Sequence, residues 1–513
     1  MNYRIAIRLL VAGVAVVIFA GGCLPSRSEY YHDVRQSRVR AYERWQNAEK
    51  RNEDRPILKG ELSLEEAVLV GLQYNPQLRA AVQEKAKAEG RLFGAYSEAL
   101  PRLDLTGQYE RLDQVMNIDL GVQSFQIGDE DNYSYRVQIT QPLYRGGTIP
   151  AALRGARLFD YMSDEKVRSA VEQVAYQVAS AYMDTTLAER LIEVQKASLD
   201  SAKAFQEQVE AKRQEGMARE YDVLRARVDV SNIQADLIEQ RNKRDRARTR
   251  LCRAMGVSQK SDTELLTGLG FKEVDVSFAE AVSTAFQNRP DIYQAILSVG
   301  MQKEALNEAY SAYLPDLDAS FWHLWAKPDP QQASNIEWDT DWAGAISLTW
   351  PLFDGLAREG RIVQRKAELR KLEILLGDTE EKALLEVRNA LLELENAQQL
   401  VETQKLNLER ADRALELVQD GYKEGVNTEL EVLDARAAVT RARGLYYQSL
   451  HRHMAARLAL QQAMGILGSE PGAREVPGMA EELGLDRVKP DDDKAVSGQD
   501  GPEEEIKVRG AID

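Results

Sequence analysis

The chain has 513 residues, of which 44% are hydrophobic and 29% are charged, so it can bury a large core. Its formal net charge of −16 argues against nucleic acid or an anionic lipid surface as the main partner. We therefore predict that the chain has no nucleic-acid partner.

Residues 1–22 have the pattern of a secretory signal peptide. Arg4 and Arg8 make the start basic, an apolar run follows, and small residues precede Cys23. A cysteine in that position resembles the acylated cysteine of bacterial lipoproteins, which implies that Cys23 is lipidated and sorted to the outer membrane. An ordinary signal peptide followed by a chance cysteine is the alternative interpretation.

The middle of the chain consists of two copies of one unit. The dipeptide at 75–76 is matched at 289–290, and the Ala-Met-Gly sequence at 254–256 is matched at 463–465. Matches that stay in register over a whole unit indicate duplication. The predicted divisions are a lead segment at 23–61, a first repeat at 62–256, a linker at 257–275, a second repeat at 276–466 and an acidic, partly disordered tail at 467–513.

Each repeat is predicted to open with one helix. Ser63 and Ser277 are candidate N-caps, because each is followed three residues later by a glutamate, the spacing of a capping box. Pro101 and Pro315 are expected to stop these helices, since proline lacks the backbone N–H that a helix interior needs.

After each of these prolines the period of the pattern changes to two. Leu103 and Leu105 alternate with Asp104 and Thr106, and similar alternation recurs in three further segments. We predict β-hairpins at about 102–141 and 316–350. Segments of about ten residues with aromatic residues near their ends fit a transmembrane barrel. A soluble hairpin with one face on a core is the alternative.

Four strands are too few to close a barrel, for which about eight are the practical minimum. An open sheet in lipid would leave unpaired backbone groups on its edges, each costing several kcal/mol. The pattern therefore predicts an oligomer, and three copies would supply twelve strands.

Beyond Gly147 and Gly355 a helical pattern returns, and no proline occurs from Ala151 to Arg289 or from Leu352 to Glu470. A helix from about 150 to 215 would be on the order of 100 Å long. The pattern breaks at about 216–221 and again at about 425–430, and the apolar spacing on both sides favours antiparallel coiled-coil packing. Each break is predicted to be the tip of a helical hairpin.

Together, Cys23, the duplicated order of helix, proline, two strands and long helices, and the two tip sequences resemble the outer-membrane efflux protein (TolC-like) family. The resemblance covers roughly 62–466. It implies a mainly α fold with a β-barrel portion, built from a duplicated unit of long antiparallel coiled-coil helices plus two β-hairpins. Such units trimerise into a 12-stranded outer-membrane barrel and a periplasmic α-helical tunnel.

The same resemblance implies a function and partners. The function is that of the outer-membrane exit duct of a tripartite efflux or type I secretion system, a passive channel that extends into the periplasm. The implied partners are a homotrimer of the chain, a periplasmic adaptor protein, an inner-membrane transporter and outer-membrane lipid. Whether the substrate is a drug, a metal ion or a protein stays open.

Two sets of candidate site residues lie at the tips. Glu431 and Asp434 are three residues apart and share a helix face, so they could form carboxylate rings in a three-fold pore. By resemblance, Tyr422 could bond Asp222 between neighbouring hairpins and hold the pore closed. Solvated helix-end charges are the alternative. The candidate adaptor-contact residues are Gly216, Met217, Ala218, Gly425, Val426 and Asn427.

We predict neither an enzyme nor a resident metal or cofactor. His451 and His453 are two residues apart and do not share a helix face, and no catalytic sequence motif occurs. The alternatives are a structural periplasmic coiled-coil lipoprotein without a pore and an enzyme whose site carries no recognisable motif.

Overall fold

The structure is a computed structural model that describes residues 55–119, 124–127, 129–329 and 337–467, together with Gln36 and Arg40. The predicted signal peptide, Cys23 and the tail after Leu467 lie outside the described residues. Within the described ranges, none of the helices has both the length and the apolar character needed to cross a bilayer.

The two repeats contain the same succession of elements. The first comprises α1 (Leu64–Tyr74), α2 (Pro76–Ser97), β2 (Arg102–Arg111), β5 (Asp131–Arg145), α3 (Thr148–Gln214) and α4 (Glu220–Met255). The second comprises α5 (Phe278–Asn288), α6 (Pro290–Ser311), β7 (Asp316–Lys327), β8 (Asp339–Thr349), α7 (Ala357–Lys423) and α8 (Glu429–Ala463). The long helices α3 and α7 each have 67 residues.

Two short strand pairs were not predicted from the sequence. Strand β1 (Lys59–Leu62) pairs in parallel with β6 (Asp262–Leu265), which joins the end of the lead segment to the linker. Strands β3 (Met116–Asp119) and β4 (Ser124–Ile127) form a small antiparallel hairpin between β2 and β5. The β1–β6 pair is also tied to α3, because the Tyr182 hydroxyl donates to the Leu62 carbonyl at 2.9 Å.

The prediction of a single opening helix in each repeat was wrong. The helix breaks before Pro76 and Pro290, where proline occupies the first helical turn and its missing N–H costs no bond. Helices α2 and α6, which follow these breaks, end at Ser97 and Ser311, upstream of the prolines that were expected to stop them. The predicted N-cap at Ser63 is present, with its hydroxyl accepting from the Glu66 amide.

Each break is held against the end of the last helix of its own repeat. Asn75 Nδ2 donates to the Ala254 carbonyl at 2.7 Å, and Arg289 Nη1 donates to the Ala463 carbonyl at 3.1 Å. Both donors are more than 90% buried. Two different side chains therefore satisfy equivalent orphan carbonyls at the C-terminal ends of α4 and α8, as helix ends require.

The hairpins of the two repeats form one four-stranded antiparallel sheet in the order β2-β5-β7-β8. The register places Leu105 opposite Val137, Ile139 opposite Phe321, and Ala319 opposite Ile346. Because side chains alternate along a strand, one face of the sheet is apolar across all four strands and the other is mainly polar. The two-faced strand pattern in the sequence is thus confirmed as a two-faced sheet.

The long helices lie side by side in the order α4-α3-α8-α7. Helix α3 packs along α4 and against α8, and α8 packs along α7. Small and β-branched residues fill the seams, for example Val178 and Ala202 on α3 and Val387 and Ala397 on α7. The predicted fold class is confirmed: a duplicated unit in which helical hairpins extend from a small sheet.

Candidate functional site

The two helical hairpins turn at glycines with left-handed backbone conformations. Gly216 has φ of 79° and Gly425 has φ of 80°, a region that other residues enter only with strain. Next to them, the Met217 amide donates to Lys212 O and the Val426 amide donates to Gly421 O, both at 2.8 Å. These bonds satisfy orphan carbonyls at the ends of α3 and α7, as in a Schellman motif.

A shared apolar cluster joins the two tips. Its buried members are Phe205 and Val209 on α3, Val223 on α4 and Val432 on α8. Ala218 in the first turn and Tyr422 at the end of α7 pack against this cluster and are partly buried. The two hairpins therefore pack against each other at their tips.

Two of the predicted gate carboxylates cap helices. Asp222 accepts from the Arg219 amide at 3.0 Å and from both Nε and Nη2 of its guanidinium. Glu431 accepts from the Thr428 amide at 2.6 Å. These bonds lower the pKa of both carboxyl groups, through the Arg219 side chain at Asp222 and the Thr428 amide at Glu431.

The lowered pKa values of Asp222 and Glu431 determine how the stability of the tips changes with pH. A carboxyl group whose pKa is lowered on folding stabilises the folded state above its unfolded pKa, and loses that effect as pH falls through the folded pKa. Asp222 and Glu431 therefore stay charged at neutral pH, and both caps weaken only in acid.

The third gate candidate, Tyr422, packs between the hairpins. Its ring centroid lies 5.5 Å from that of Phe205, and Lys212 Nζ lies 3.8 Å from the Tyr422 centroid. Burial raises the pKa of its hydroxyl, with further contributions from Glu429 and Asp222. Among the bonds of the described residues, none joins Tyr422 to Asp222, so the predicted pairing between hairpins stays a prediction.

The remaining candidates divide between exposed and supporting positions. Met217 is 67% exposed and Val426 is 76% exposed, so each tip presents an apolar side chain to solvent. Asn427 instead supports the cap, because its Nδ2 donates to Glu431 Oε2 at 3.2 Å. Asp434 is exposed, one turn from Glu431 on α8.

Sequence reasoning missed two charged residues near the tips. Glu429 is partly buried beside Asp222, and burial together with the Asp222 charge raises the pKa of its carboxyl group. Arg436 is buried on α8 although arginine usually lies on the surface. A search for motifs does not identify Arg436. A residue-by-residue comparison of the two repeats could have identified it.

The histidines in the described ranges show no grouping of metal ligands. His451 Nε2 lies 2.8 Å from Asp184 Oδ1, while the ring of His453 is fully buried against Phe271. In the described part of the chain, no three His, Cys, Asp or Glu side chains are placed to hold one metal ion.

The fold and the tips together define a class of protein: a two-repeat subunit with a two-faced sheet and long helical hairpins that end in packed tips. The model of the family described as "Outer membrane efflux protein" matches residues 71–257 and 281–466. The chain belongs to this family. The predicted family is confirmed, and with it the role of an outer-membrane efflux duct.

Individual relatives are similar over most of their length. The "Alkaline protease secretion protein AprF" of Pseudomonas aeruginosa is 23% identical over 79% of this chain and 85% of its own. The "Outer membrane protein TolC" of Escherichia coli K12 is 20% identical over 77% of this chain and 80% of its own. The crystal structure of the Campylobacter jejuni CmeC outer membrane channel covers 78% of this chain and 85% of its own, with 18% identity and a TM-score of 0.68.

Proposed function

We propose that three copies of this chain form an exit duct with a closed twelve-stranded barrel in the outer membrane and a helical tunnel in the periplasm. Cys23 anchors each copy in the membrane through its acyl groups. A periplasmic adaptor protein docks at the helical tips and connects the duct to an inner-membrane transporter, which supplies the substrate.

The observation that carries this proposal is a sheet with two open edges and one apolar face. Within the described residues, β2 and β8 each pair along one side only. On the apolar face Leu105 and Ile346 are each 73% exposed. Unpaired edges in hydrocarbon cost several kcal/mol per group, so pairing β8 of one copy with β2 of the next removes that penalty.

The helical layer has matching free surfaces at its two sides. On α4, Tyr221, Leu224 and Val228 share one face and are all more than half exposed. On α7, Leu406 and Leu417 are likewise more than half exposed. Exposed apolar stripes of this kind indicate protein contacts. In a ring of three, α4 of one copy lies beside α7 of its neighbour.

At the tips we assign two roles. Gly216, Met217, Ala218, Gly425, Val426 and Asn427 form the adaptor contact, supported by the exposure of Met217 and Val426. Asp222, Tyr422, Glu431 and Asp434 form the constriction. Three-fold symmetry turns each carboxylate into a ring of three, which attracts cations and is screened by salt.

The substrate class follows from the transporter rather than from the duct. One relative is named for the secretion of an alkaline protease, so protein secretion stands beside drug and metal-ion efflux as cargo for this chain. A pull-down of cross-linked partners, with the transporter identified by mass spectrometry, decides among them.

Removal of the tip charges tests the duct and its constriction together. In planar bilayers, the combined Glu431→Gln and Asp434→Asn variant should conduct, with block by divalent cations weakened several-fold, because two carboxylate rings are gone. Glu402→Gln on α7 is the matched control, because Glu402 is exposed but lies roughly 30 Å from the tip. Unchanged block in the double variant rejects the constriction, and a wild-type protein that never conducts rejects the duct.

A further inference from the structure

Arg436 is a buried cation with unused hydrogen-bond donors. It lies on α8 two turns from the tip and is 8% exposed. Its Nε and Nη1 atoms are buried, and none of the described residues accepts a hydrogen bond from them. Leaving charged donors unpaired in the interior is among the more unfavourable arrangements in a folded protein, so a missing acceptor is expected.

The guanidinium lies in a groove between α3 and α7 above α8, which we call the Arg436 groove. The groove encloses about 130 Å³ and is lined by Ser201, Phe205, Gln208, Gln419, Tyr422 and Val432. The Arg436 guanidinium carbon lies 5.4 Å from the centroid of the Phe205 ring. Lys423 also lines the groove, which thus combines two cations with aromatic and amide side chains.

The other charges around the groove do not neutralise Arg436. Lys423 Nζ binds Asp420 at 2.9 Å, and Arg443 Nη2 binds Asp412 at 3.0 Å. Asp229 on α4 acts on Arg436 electrostatically but makes no ion pair with it among the described residues. Arg436 is therefore the lining cation that has no ion-pair partner among the described residues, and its single charge matches a single carboxylate better than a doubly charged phosphate.

In the first repeat, the arginine equivalent to Arg436 has a carboxylate as its hydrogen-bond acceptor. Arg227 and Arg436 are 209 residues apart and occupy equivalent places in α4 and α8, as do Glu210 and Gln419 in α3 and α7. In the first repeat, Arg227 Nε donates to Glu210 Oε1 at 3.0 Å. In the second repeat, the carboxylate has been replaced by the amide of Gln419, and Arg436 has lost its acceptor.

We propose that the Arg436 groove is a binding site for one carboxylate group, which takes the place that Glu210 has in the first repeat. The guanidinium donates from Nε and Nη1, and the Gln419 amide donates to the same ligand. Two sources present this chemistry: a free organic acid, or an Asp or Glu side chain of a protein docked at the tips.

Acetate is the probe for the site itself. With the full chain in detergent, sodium acetate replaces sodium chloride at fixed ionic strength and pH 7.5, and ¹³C-acetate NMR measures binding. Wild type should show saturable binding, which weakens at least tenfold in Gln419→Glu because the new carboxylate pairs with Arg436. That variant should also unfold at a higher denaturant concentration than wild type, a gain that no loss of folding can imitate.

Glu210→Gln is the matched control for this experiment. It leaves Arg227 without its acceptor, but the Arg227 side chain is 58% exposed and already solvated, so acetate binding should equal that of wild type. Absence of saturable binding in wild type, or equal binding in Gln419→Glu, overturns the proposal. Because the readout is binding, its failure is distinct from failure to form a conducting duct.

The source of the carboxylate is resolved in cells. Chemical cross-linking captures this chain in species heavier than its own oligomer, and wild type is compared with Gln419→Glu. A lower yield of mixed species in the variant identifies a side chain of a docked protein. An unchanged yield, together with acetate binding by wild type, identifies a free organic acid. Both results presuppose the acetate binding that decides the proposal.

Discussion

Replacement of Ile346 by lysine is expected to abolish stable assembly in the outer membrane. Ile346 lies on the apolar face of β8 and is 73% exposed in the single chain. A lysine at the lipid-facing side of a barrel costs about 2–4 kcal/mol near the midplane of the bilayer. Every copy carries the change, so a three-fold barrel bears the penalty three times.

Ser347→Lys is the control for this substitution, because the next residue along a strand points to the opposite face. Its neighbour across the ladder is Asp318, on the polar side of the sheet. The measurement is the amount of heat-modifiable oligomer recovered from outer membranes. Equal recovery of the two lysine variants would show that the apolar face is not the lipid face.

Gly256→Ala is expected to destabilise the base of the helical hairpins by more than about 4 kcal/mol, an unusually large effect for one methyl group. Gly256 has φ of 75°, and a Cβ there would lie 2.3 Å from the Tyr74 carbonyl oxygen. The backbone at the break between α1 and α2 would have to move. That movement also pulls Asn75 away from the Ala254 carbonyl.

Gly216→Ala separates the cost of the left-handed backbone from the cost of the steric overlap with Tyr74. Gly216 has φ of 79°, but a Cβ there meets nothing within 4 Å. Only the left-handed backbone is strained, which costs about 1–2 kcal/mol. Denaturant unfolding followed by circular dichroism at 222 nm should give Gly256→Ala a much lower free energy of unfolding than Gly216→Ala. Equal losses would mean that the close approach at Gly256 relaxes freely.

The features that the sequence predicted well are those set by local chemistry. Alternation of apolar and polar residues identified the strands, because the period of two is a property of every strand. Gly216 and Gly425 marked the tips, because a helix that reverses in a short turn needs a left-handed residue. The cap at Ser63 followed from its spacing to Glu66.

The features that the sequence did not predict depend on residues far apart in the chain. Parallel pairing of β1 with β6 joins segments about 200 residues apart, and four-residue strands carry too little pattern to be recognised. The break before Pro76 was not predicted because proline is tolerated in the first turn of a helix. The helical pattern therefore continues after Pro76, and the sequence does not show that a new helix begins there.

The candidate site shows the same limit. Glu431 was predicted as a pore carboxylate from its position near a tip, whereas its bond to Thr428 depends on the turn geometry. Arg436 has no unusual local sequence. Its guanidinium lacks an acceptor because Gln419 stands where the first repeat has a carboxylate, and it is buried because Phe205 of the other hairpin covers it.

Cross-linking of the two open sheet edges tests the central claim most directly. Cysteines in place of Thr106 on β2 and Ala345 on β8 are treated with a bifunctional thiol reagent of about 10 Å reach, while the buried Cys252 is not accessible. If edges of neighbouring copies pair in a closed ring, covalent species should appear at two and three chain masses and at none above. A ladder that continues past three chains, or cross-links confined to single chains, would contradict the account.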